Sequence, residues 1–250
     1  MEIIFLGTGT STGVPYIGCN CEVCTSTDPH DNRLRSSLLI REKEKTILID
    51  CGPDFRQQML TNHIRSLDSI LLTHEHYDHV SGLDDVRAFQ TVNIFAENRV
   101  AKIIQSNLHY SFAANKYPGV PDFKMHIIHE YEPFLADNIH CTPIRVMHAN
   151  LPTLGFRVGK MAYLTDLKTL PEASIQLLQD LDLLILGTLR FKPHFSHLMV
   201  DEALSIVRLL APKRTYFTHI GHDMGKHADV QKQLPDHVFL AYDGLTLETY

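Results

Sequence analysis

Residues 74–79 read His-Glu-His-Tyr-Asp-His and place four potential metal ligands, three imidazoles and the Asp78 carboxylate, in one short stretch. They follow an apolar run, residues 69–73, that has the composition of a buried β-strand. Imidazole binds zinc, manganese or iron, and a hard carboxylate beside it favours a centre that also holds water. The stretch therefore predicts a metal site at the end of a strand, where layered α/β proteins tend to carry their active sites.

Three more polar residues follow predicted strands. His148 comes after the strand around 139–147, Asp166 after 161–165, and His219 after 213–218. One loop cannot close a two-metal centre, so these residues are the natural additional ligands. Two metals about 3.5–4 Å apart suit in-line displacement at phosphorus, because they activate water and hold the phosphoryl oxygens.

A second cluster of potential ligands lies earlier in the chain. Cys19, Cys21 and Cys24 form a C-x-C-x-x-C motif, and three thiols in six residues suit tetrahedral zinc, which needs a fourth ligand. His222, three residues after His219, is the natural candidate. The alternative is three free thiols and a surface histidine.

The elements that must position these residues are read from local patterns. Strands are predicted around 3–6, 37–41, 46–50, 69–73, 125–128, 139–147, 154–158, 161–164, 183–186, 213–218 and 238–242. Helices are predicted over 55–63, 84–90, 97–108, 170–181 and 200–210, and residues 109–122 are predicted to be an irregular segment that could cover a site. This order indicates two sheets packed face to face with helices outside.

The ligand order H-x-H-x-D-H, then His, Asp and His, resembles the metallo-β-lactamase superfamily over nearly the entire chain. The resemblance implies its α/β fold, an αββα four-layer sandwich of two mixed β-sheets with helices outside. It also implies that Asp166 bridges two metals and that Asp50 orients a ligand histidine by a hydrogen bond. The implied ligands are His74, His76 and His148 for one metal, and Asp78, His79 and His219 for the other.

Within the superfamily, the chain resembles the phosphodiesterases of the carbon–phosphorus lyase pathway, which open phosphoribosyl cyclic phosphate. That family pairs a dinuclear site with a Cys-Cys-Cys-His zinc. The matching stretches are residues 7–10 and 13–15, the C-x-C-x-x-C motif, residues 72–79, residues 218–222 and Asp243-Gly244. The pyrroloquinoline quinone biosynthesis protein B family shares this layout, including a cysteine-rich early loop.

The resemblance implies a metal-dependent phosphoric diester hydrolase that acts on a small cyclic or diester phosphate through hydroxide activated by two manganese or zinc ions. Asp78 and His197 are the predicted catalytic residues, His197 as the acid that protonates the leaving group. Arg190 and Lys192 either clamp a second phosphate or are solvated loop charges. The alternatives are a transfer-RNA 3′-processing endonuclease and a non-catalytic metal-binding module like the quinone-pathway protein.

The composition of the chain limits the kinds of partner that we expect it to bind. A net charge of −6 argues against a general nucleic-acid surface, since phosphate contacts need clustered Lys and Arg. The N-terminus shows no signal peptide and no run is long enough for a membrane helix, so we expect a cytoplasmic protein with reduced cysteines. The 250 residues are predicted to form one hydrolase domain, and a homodimer is suggested by the resemblance alone.

Overall fold

The computed structural model describes residues 1–249 and places two mixed seven-stranded sheets face to face. The first sheet has the spatial order β14-β1-β2-β3-β4-β5-β6. Its strands are β1 (Glu2–Gly7), β2 (Ser37–Glu42), β3 (Lys45–Ile49), β4 (Ser69–Leu71), β5 (Val92–Ala96), β6 (Phe123–Ile127) and β14 (Thr246–Glu248).

The second sheet has the order β13-β12-β11-β10-β9-β8-β7. Strands β10 to β13 run parallel to one another, while β7, β8 and β9 are joined as antiparallel neighbours. The strands are β7 (Phe134–Ala136), β8 (Ile139–His148), β9 (Leu151–Val158), β10 (Met161–Leu164), β11 (Leu183–Gly187), β12 (Arg214–Thr218) and β13 (Val238–Leu240).

Helices cover the outer faces of the sheets and complete the predicted four layers. They are α1 (Phe55–Thr61), α2 (Tyr77–Val80), α3 (Asn98–Asn107), α4 (His109–Phe112), α5 (Glu172–Gln176), α6 (Val200–Leu210) and α7 (His227–Gln231), with 3₁₀ turns at Pro29–Asp31, Leu83–Ala88 and His222–Met224. Within residues 1–249, none of the helices has the length and apolar character needed to cross a bilayer.

Strand alternation explains why both faces of each sheet are buried. Ile3 and Phe5 of β1 pack into the core between the sheets, whereas Ile4 and Leu6 pack beneath the helices of the first sheet. Successive side chains of a strand point to opposite faces, so a strand covered on both sides is a continuous apolar run. A third core lies between the second sheet and its helices.

Several predicted elements are corrected by the structure. The helix predicted over 170–181 is only Glu172–Gln176, because Asp180 has a φ of +56° and the chain unwinds to bury Leu178 and Leu181. The predicted helix 84–90 is a 3₁₀ turn, and the segment 109–122 begins with a short helix. Strands β5, β7 and β14 were not predicted.

The topology brings the predicted ligands to one edge. Strands β3 and β4 are parallel neighbours, and β10, β11 and β12 are parallel to one another. Within each sheet, the loops that follow these strands therefore lie at the same edge. Asp50 follows β3 directly, Asp166 follows β10 by two residues, and His219 follows β12 directly. His148 is the last residue of β8.

Candidate metal centre

Asp166 lies at the middle of a cluster of seven predicted ligands, and its two carboxylate oxygens face different neighbours. Oδ1 lies 3.3 Å from His79 Nε2 and 3.1 Å from His219 Nε2. Oδ2 lies 3.9 Å from His74 Nε2 and 4.0 Å from His148 Nε2. A carboxylate that presents one oxygen to each of two ligand sets has the geometry of a bridge between two cations.

The half of the centre that Oδ2 faces contains three histidines. His74 Nε2 lies 3.0 Å from His76 Nδ1, and the rings of His76 and His148 are 5.4 Å apart. His148 donates its Nδ1 hydrogen to the carbonyl oxygen of Ser196 at 2.9 Å, which leaves Nε2 unprotonated toward the centre. Nitrogen lone pairs therefore converge on the side of Asp166 Oδ2.

The other half contains Asp78, His79 and His219. Asp78 Oδ2 lies 3.1 Å from His79 Nε2 and 3.7 Å from His219 Nε2. His79 and His219 are 0% and 1% exposed, and Asp78 is 8% exposed. The pairing of a carboxylate with two buried imidazoles matches the second set implied by the resemblance.

Buried nitrogens without hydrogen-bond partners show that a metal fits this centre. His79 Nε2 and both ring nitrogens of His219 have no hydrogen bond within the described residues, although they are shielded from solvent. Leaving such groups unpaired costs free energy, so they need a partner that the side chains do not supply. Imidazole nitrogens and carboxylate oxygens around one point are the ligands of zinc and manganese.

Asp50 orients His79 as predicted from the resemblance. Its Oδ2 accepts a 2.7 Å hydrogen bond from His79 Nδ1, which directs Nε2 into the centre. Thr73 holds Asp50 in turn through its backbone N–H at 2.9 Å and its hydroxyl, and that hydroxyl also lies 2.9 Å from His74 Nδ1. Thr73 was not singled out from the sequence, although it directly precedes the motif.

Electrostatics in the centre follow from burial and opposing charges. Burial alone would lower the pKa of His79, yet the carboxylates of Asp50, Asp166 and Asp78 raise it well above its usual value. Burial opposes ionisation of Asp166, but the nearby His219 and His79 hold its pKa well below the usual range. In the protein alone, a positive charge on His79 is thus favoured at the place where a cation would compensate the carboxylates.

The backbone is strained at three of these positions. Asp50, Asp166 and His219 have φ values of +63°, +43° and +57°, in the left-handed region that L-residues rarely adopt. Such conformations cost on the order of 1–3 kcal/mol each and persist where the surrounding fold imposes them. All three lie just after strands, which indicates that the strand ends are bent to aim side chains into the centre.

His197 lies beside the centre but three residues before α6. Its Nδ1 is 4.0 Å from Asp166 Oδ2, and its ring stacks 4.8 Å from that of His219. Burial and the neighbouring His219 lower the pKa of His197 to about 3, so the ring is neutral near pH 7. Its position suits the predicted contact with a leaving group, while a neutral ring offers an N–H hydrogen bond rather than a standing positive charge.

The three cysteines and His222 also come together. His222 Nδ1 lies 3.4 Å from Cys19 Sγ and 3.5 Å from Cys21 Sγ, and the four potential ligand atoms, including Cys24 Sγ, lie within 4.8 Å of one another. The hydrogen bond to His222 lowers the pKa of Cys21 to about 6, which favours a thiolate. Three sulfurs and one nitrogen in such a group fit tetrahedral zinc.

The predicted phosphate clamp is arranged differently. Arg190 donates to Asp223 Oδ2 at 3.0 Å and to the carbonyls of Lys192 and Pro193, so its charge is already paired. It lines a cavity of about 220 Å³ with His194 and Tyr16, and Lys192 is not among the described residues that line it. Substrate binding by Arg190 and Lys192 stays a prediction.

Glu75 and Arg99 form an ion pair that the sequence did not reveal. Arg99 donates one N–H to Glu75, between His74 and His76, and another to the carbonyl of Pro152 at 2.7 Å. Glu75 could have been found from the sequence, since it lies inside the motif. Arg99 could not, because its contacts are long-range and the residues around it show no distinctive spacing.

Fold and site together define a protein of the metallo-β-lactamase fold with a candidate metal centre at one edge of its two sheets. The chain belongs to the β-lactamase superfamily: the model of the beta-lactamase superfamily domain matches residues 45–220. This match confirms the predicted fold, and the similarity to a solved structure of the PhnP family confirms the predicted resemblance within the superfamily.

One solved structure, described as a new diphosphatase from the PhnP family, is 40% identical with a TM-score of 0.92, and the alignment covers 98% of this chain and 96% of that one. Zinc-bound PqqB from Methylobacterium extorquens has a TM-score of 0.84 at 20% identity, with both chains fully covered. Human tRNase Z, short form, has a TM-score of 0.72 at 20% identity and 99% coverage of both chains. The last two show the fold alone.

Among curated proteins, an octanoyltransferase from Porphyromonas gingivalis is 44% identical over 250 residues, covering 98% of this chain and 51% of the relative. A coenzyme PQQ synthesis protein B from Methylobacterium nodulans is 31% identical over 121 residues, covering 43% of this chain and 40% of that protein. The chain thus spans about half the length of the curated relatives it matches.

Proposed function

We propose that this chain is a metal-dependent phosphodiesterase that hydrolyses a small cyclic or diester phosphate. The observation that carries the proposal is the placement of the two carboxylate oxygens of Asp166. Oδ1 faces His79 and His219, whereas Oδ2 faces His74 and His148. Two adjoining cation sites that share a carboxylate suit displacement at phosphorus. The 40% identity to a diphosphatase over nearly the full chain supports phosphorus chemistry.

When bound, two divalent ions, manganese or zinc, would lower the pKa of bound water and supply positive charge to the phosphoryl oxygens. The chain's own residues prepare the ligands. Asp50 fixes the tautomer of His79, and the Ser196 carbonyl fixes that of His148, so that each ring turns Nε2 inward. Asp78 completes the half of the centre beside His219.

His197 is proposed to contact the leaving oxygen. Its ring lies between those of His148 and His219, at 4.5 Å and 4.8 Å, so a diester held at Asp166 would meet it. With a pKa of about 3, the neutral ring would donate an N–H hydrogen bond to the departing alkoxide near pH 7. We expect His197→Ala to slow turnover and to leave metal binding intact.

The Cys19, Cys21, Cys24 and His222 cluster is proposed to hold a structural zinc. It joins the loop after β1 to the segment that follows His219, and the ring of Tyr16 stacks on His222 at 5.5 Å. Its role is then to fix the loops on one side of the active site. A net charge of −6 supports a small substrate rather than transfer RNA.

Acyl chemistry is the second candidate, because the octanoyltransferase relative is 44% identical across this chain. That name describes a protein about twice as long, and the match covers 51% of it. The two remaining cysteines, Cys51 and Cys141, are fully buried and cannot serve as acyl acceptors without opening the fold. The paired carboxylate and histidine sets favour the phosphodiesterase.

The decisive comparison uses bis(p-nitrophenyl) phosphate, p-nitrophenyl phosphate and an octanoyl thioester, each with added manganese or zinc. We expect turnover of the diester alone, and loss of that turnover in Asp166→Ala. Cleavage of the thioester without cleavage of the diester would replace the proposal with acyl chemistry. No turnover of any substrate by a metal-loaded protein would favour a binding module like that of the quinone pathway.

A further inference from the structure

Arg99 connects the two loops that supply histidines to one half of the candidate centre. It lies in the first turn of α3, and its guanidinium forks between two acceptors. One N–H binds the carboxylate of Glu75, and the other binds the carbonyl of Pro152 at 2.7 Å. Arginine is suited to this arrangement because its donors are held in a rigid planar fork.

The two acceptors belong to different sheets. Glu75 is in the loop after β4 of the first sheet, between His74 and His76. Pro152 is the second residue of β9 in the second sheet, where it pairs with Met147, the neighbour of His148. Arg99 therefore spans the gap across which His76 and His148 must meet.

A backbone bond lies beside this connection. The N–H of Leu154 donates to the carbonyl of Thr73 at 3.0 Å, so the residues preceding His74 are already tied to β9. Arg145 adds a further restraint on the same strand by donating to the Thr153 carbonyl at 3.1 Å and to Glu97, directly before α3. Among residues 1–249, the Arg99 contact is the one hydrogen-bonded link that extends this connection past His74 toward His76.

His76 is the ligand that most needs an external restraint. His74 and His79 are fully buried and are fixed by Thr73 and Asp50, whereas His76 is exposed. Beyond the adjacent ring of His74, His76 has no side-chain hydrogen bond to any residue in 1–249. Its position is thus governed by the loop backbone, which the ion pair of Glu75 holds.

We propose that Arg99 is a positioning residue that sets the spacing of His76 and His148, and so governs the affinity of one of the two metal sites. This inference rests on the proposed dinuclear centre. The site of Asp78, His79 and His219 is held by Asp50 and by burial, and does not depend on Arg99. Removal of the guanidinium then weakens one ion selectively.

The test is titration of metal-free protein with Co²⁺ against a chelator of known affinity, followed by visible absorption. Thiolate-to-cobalt absorption in the near ultraviolet reports the cysteine cluster separately. For Arg99→Met we expect one ion of the histidine–aspartate centre to keep its affinity and the other to weaken by roughly 10- to 100-fold, the range for groups that orient ligands. Arg99→Lys, which keeps one of the two contacts, should fall between.

Arg41→Met is the matched control, because Arg41 forms an exposed ion pair with Glu2 at 3.2 Å on the first two strands. If Arg99→Met folds poorly, Glu75→Gln tests the same contact without loss of volume. Unchanged affinities in both variants, or equal weakening of both ions, would overturn the role of Arg99. Uptake of only one ion by the wild-type centre would instead overturn the dinuclear proposal, and with it this inference.

Discussion

The histidine–aspartate centre and the cysteine cluster are both potential metal sites, but the fold builds them in different ways. The histidine–aspartate centre draws residues from the ends of β3, β4, β8, β10 and β12, and most of its side chains are buried. The cysteine cluster takes three ligands from six consecutive residues, all partly exposed, and one from a distant loop. The first site depends on the register of two sheets, and the second on a single long-range contact.

The difference teaches how rigidity is distributed. In the buried centre, the Asp50 carboxylate and the Ser196 carbonyl accept hydrogen bonds from His79 and His148, and Thr73 donates to Asp50. The backbone is strained at Asp50, Asp166 and His219. The cysteines and His222 contact mainly one another and Tyr16. We therefore expect the first site to be largely preorganised and the second to acquire its order with its metal.

The largest expected effect comes from Asp166→Ala. Both halves of the centre lose their shared carboxylate, so turnover of a diester should fall by roughly 10²- to 10³-fold, the range for removal of a group that stabilises transition-state charge. The variant should still bind zinc at the cysteine cluster. Activity assays together with metal analysis check both parts, and retention of two ions in the histidine–aspartate centre would contradict the bridging role.

Gly52→Ala should disturb the buried centre without touching a ligand. A Cβ on Gly52 would lie 2.0 Å from the carbonyl oxygen of Asp78, so the segment that carries Asp78 and His79 must shift. We expect strong loss of metal affinity and a lower melting temperature, measured by chelator competition and thermal unfolding. Gly18→Ala is the comparison, since a Cβ there has no neighbour within 4 Å, although its φ of +78° still costs some stability.

Asp50→Asn sharpens the comparison by removing only the orienting charge. The amide can still bind Thr73, but it no longer fixes His79 with a carboxylate, so metal affinity should decrease by roughly 10- to 100-fold. The cysteine cluster should be unaffected. An equal decrease at the cluster would show that the two sites are coupled, which the hydrogen bonds do not suggest.

His222→Ala removes one ligand of four from the cysteine cluster. We expect loss of tight zinc binding there and greater protease sensitivity of residues 16–24, because the contacts of Cys19 and Cys21 with His222 are lost. Turnover should fall by less than in Asp166→Ala. A complete loss of activity with both ions still bound would assign the cluster a direct catalytic role.

The smallest expected effect is a dependence of stability on pH that arises from His227. Burial and the adjacent Arg33 lower the pKa of His227 to about 4, and His30, Asp28 and Asp31 also face it. A depressed folded-state pKa contributes stability above the unfolded value near 6.5 that is lost as pH falls toward 4. We expect His227→Gln to reduce the loss of unfolding free energy between about pH 6.5 and pH 4 by about 1–2 kcal/mol, as measured by thermal unfolding at several pH values.

The sequence was sufficient for all the described strands except β5, β7 and β14, for the motif loop and for the cysteine cluster, because short apolar runs and dense ligand spacing are local patterns. His148, Asp166 and His219 were predicted as ligands from their positions after strands, and the resemblance was needed only to assign each of them to one half of the centre, since each alone is an ordinary loop residue. Arg99 could not be predicted, because its two contacts join residues 24 and 53 positions away. The prediction of a helix over 170–181 was wrong in its length, since apolar spacing does not reveal the turn at Asp180 near the buried Leu178.

The most direct test is the activity toward bis(p-nitrophenyl) phosphate as manganese or zinc is added stepwise to protein whose cysteine cluster is already filled. We predict that activity rises with metal and reaches its plateau at two ions per chain in the histidine–aspartate centre, and that Asp166→Ala shows no such rise. Full occupancy of that centre by two ions with no hydrolysis of the diester would contradict the proposed phosphodiesterase.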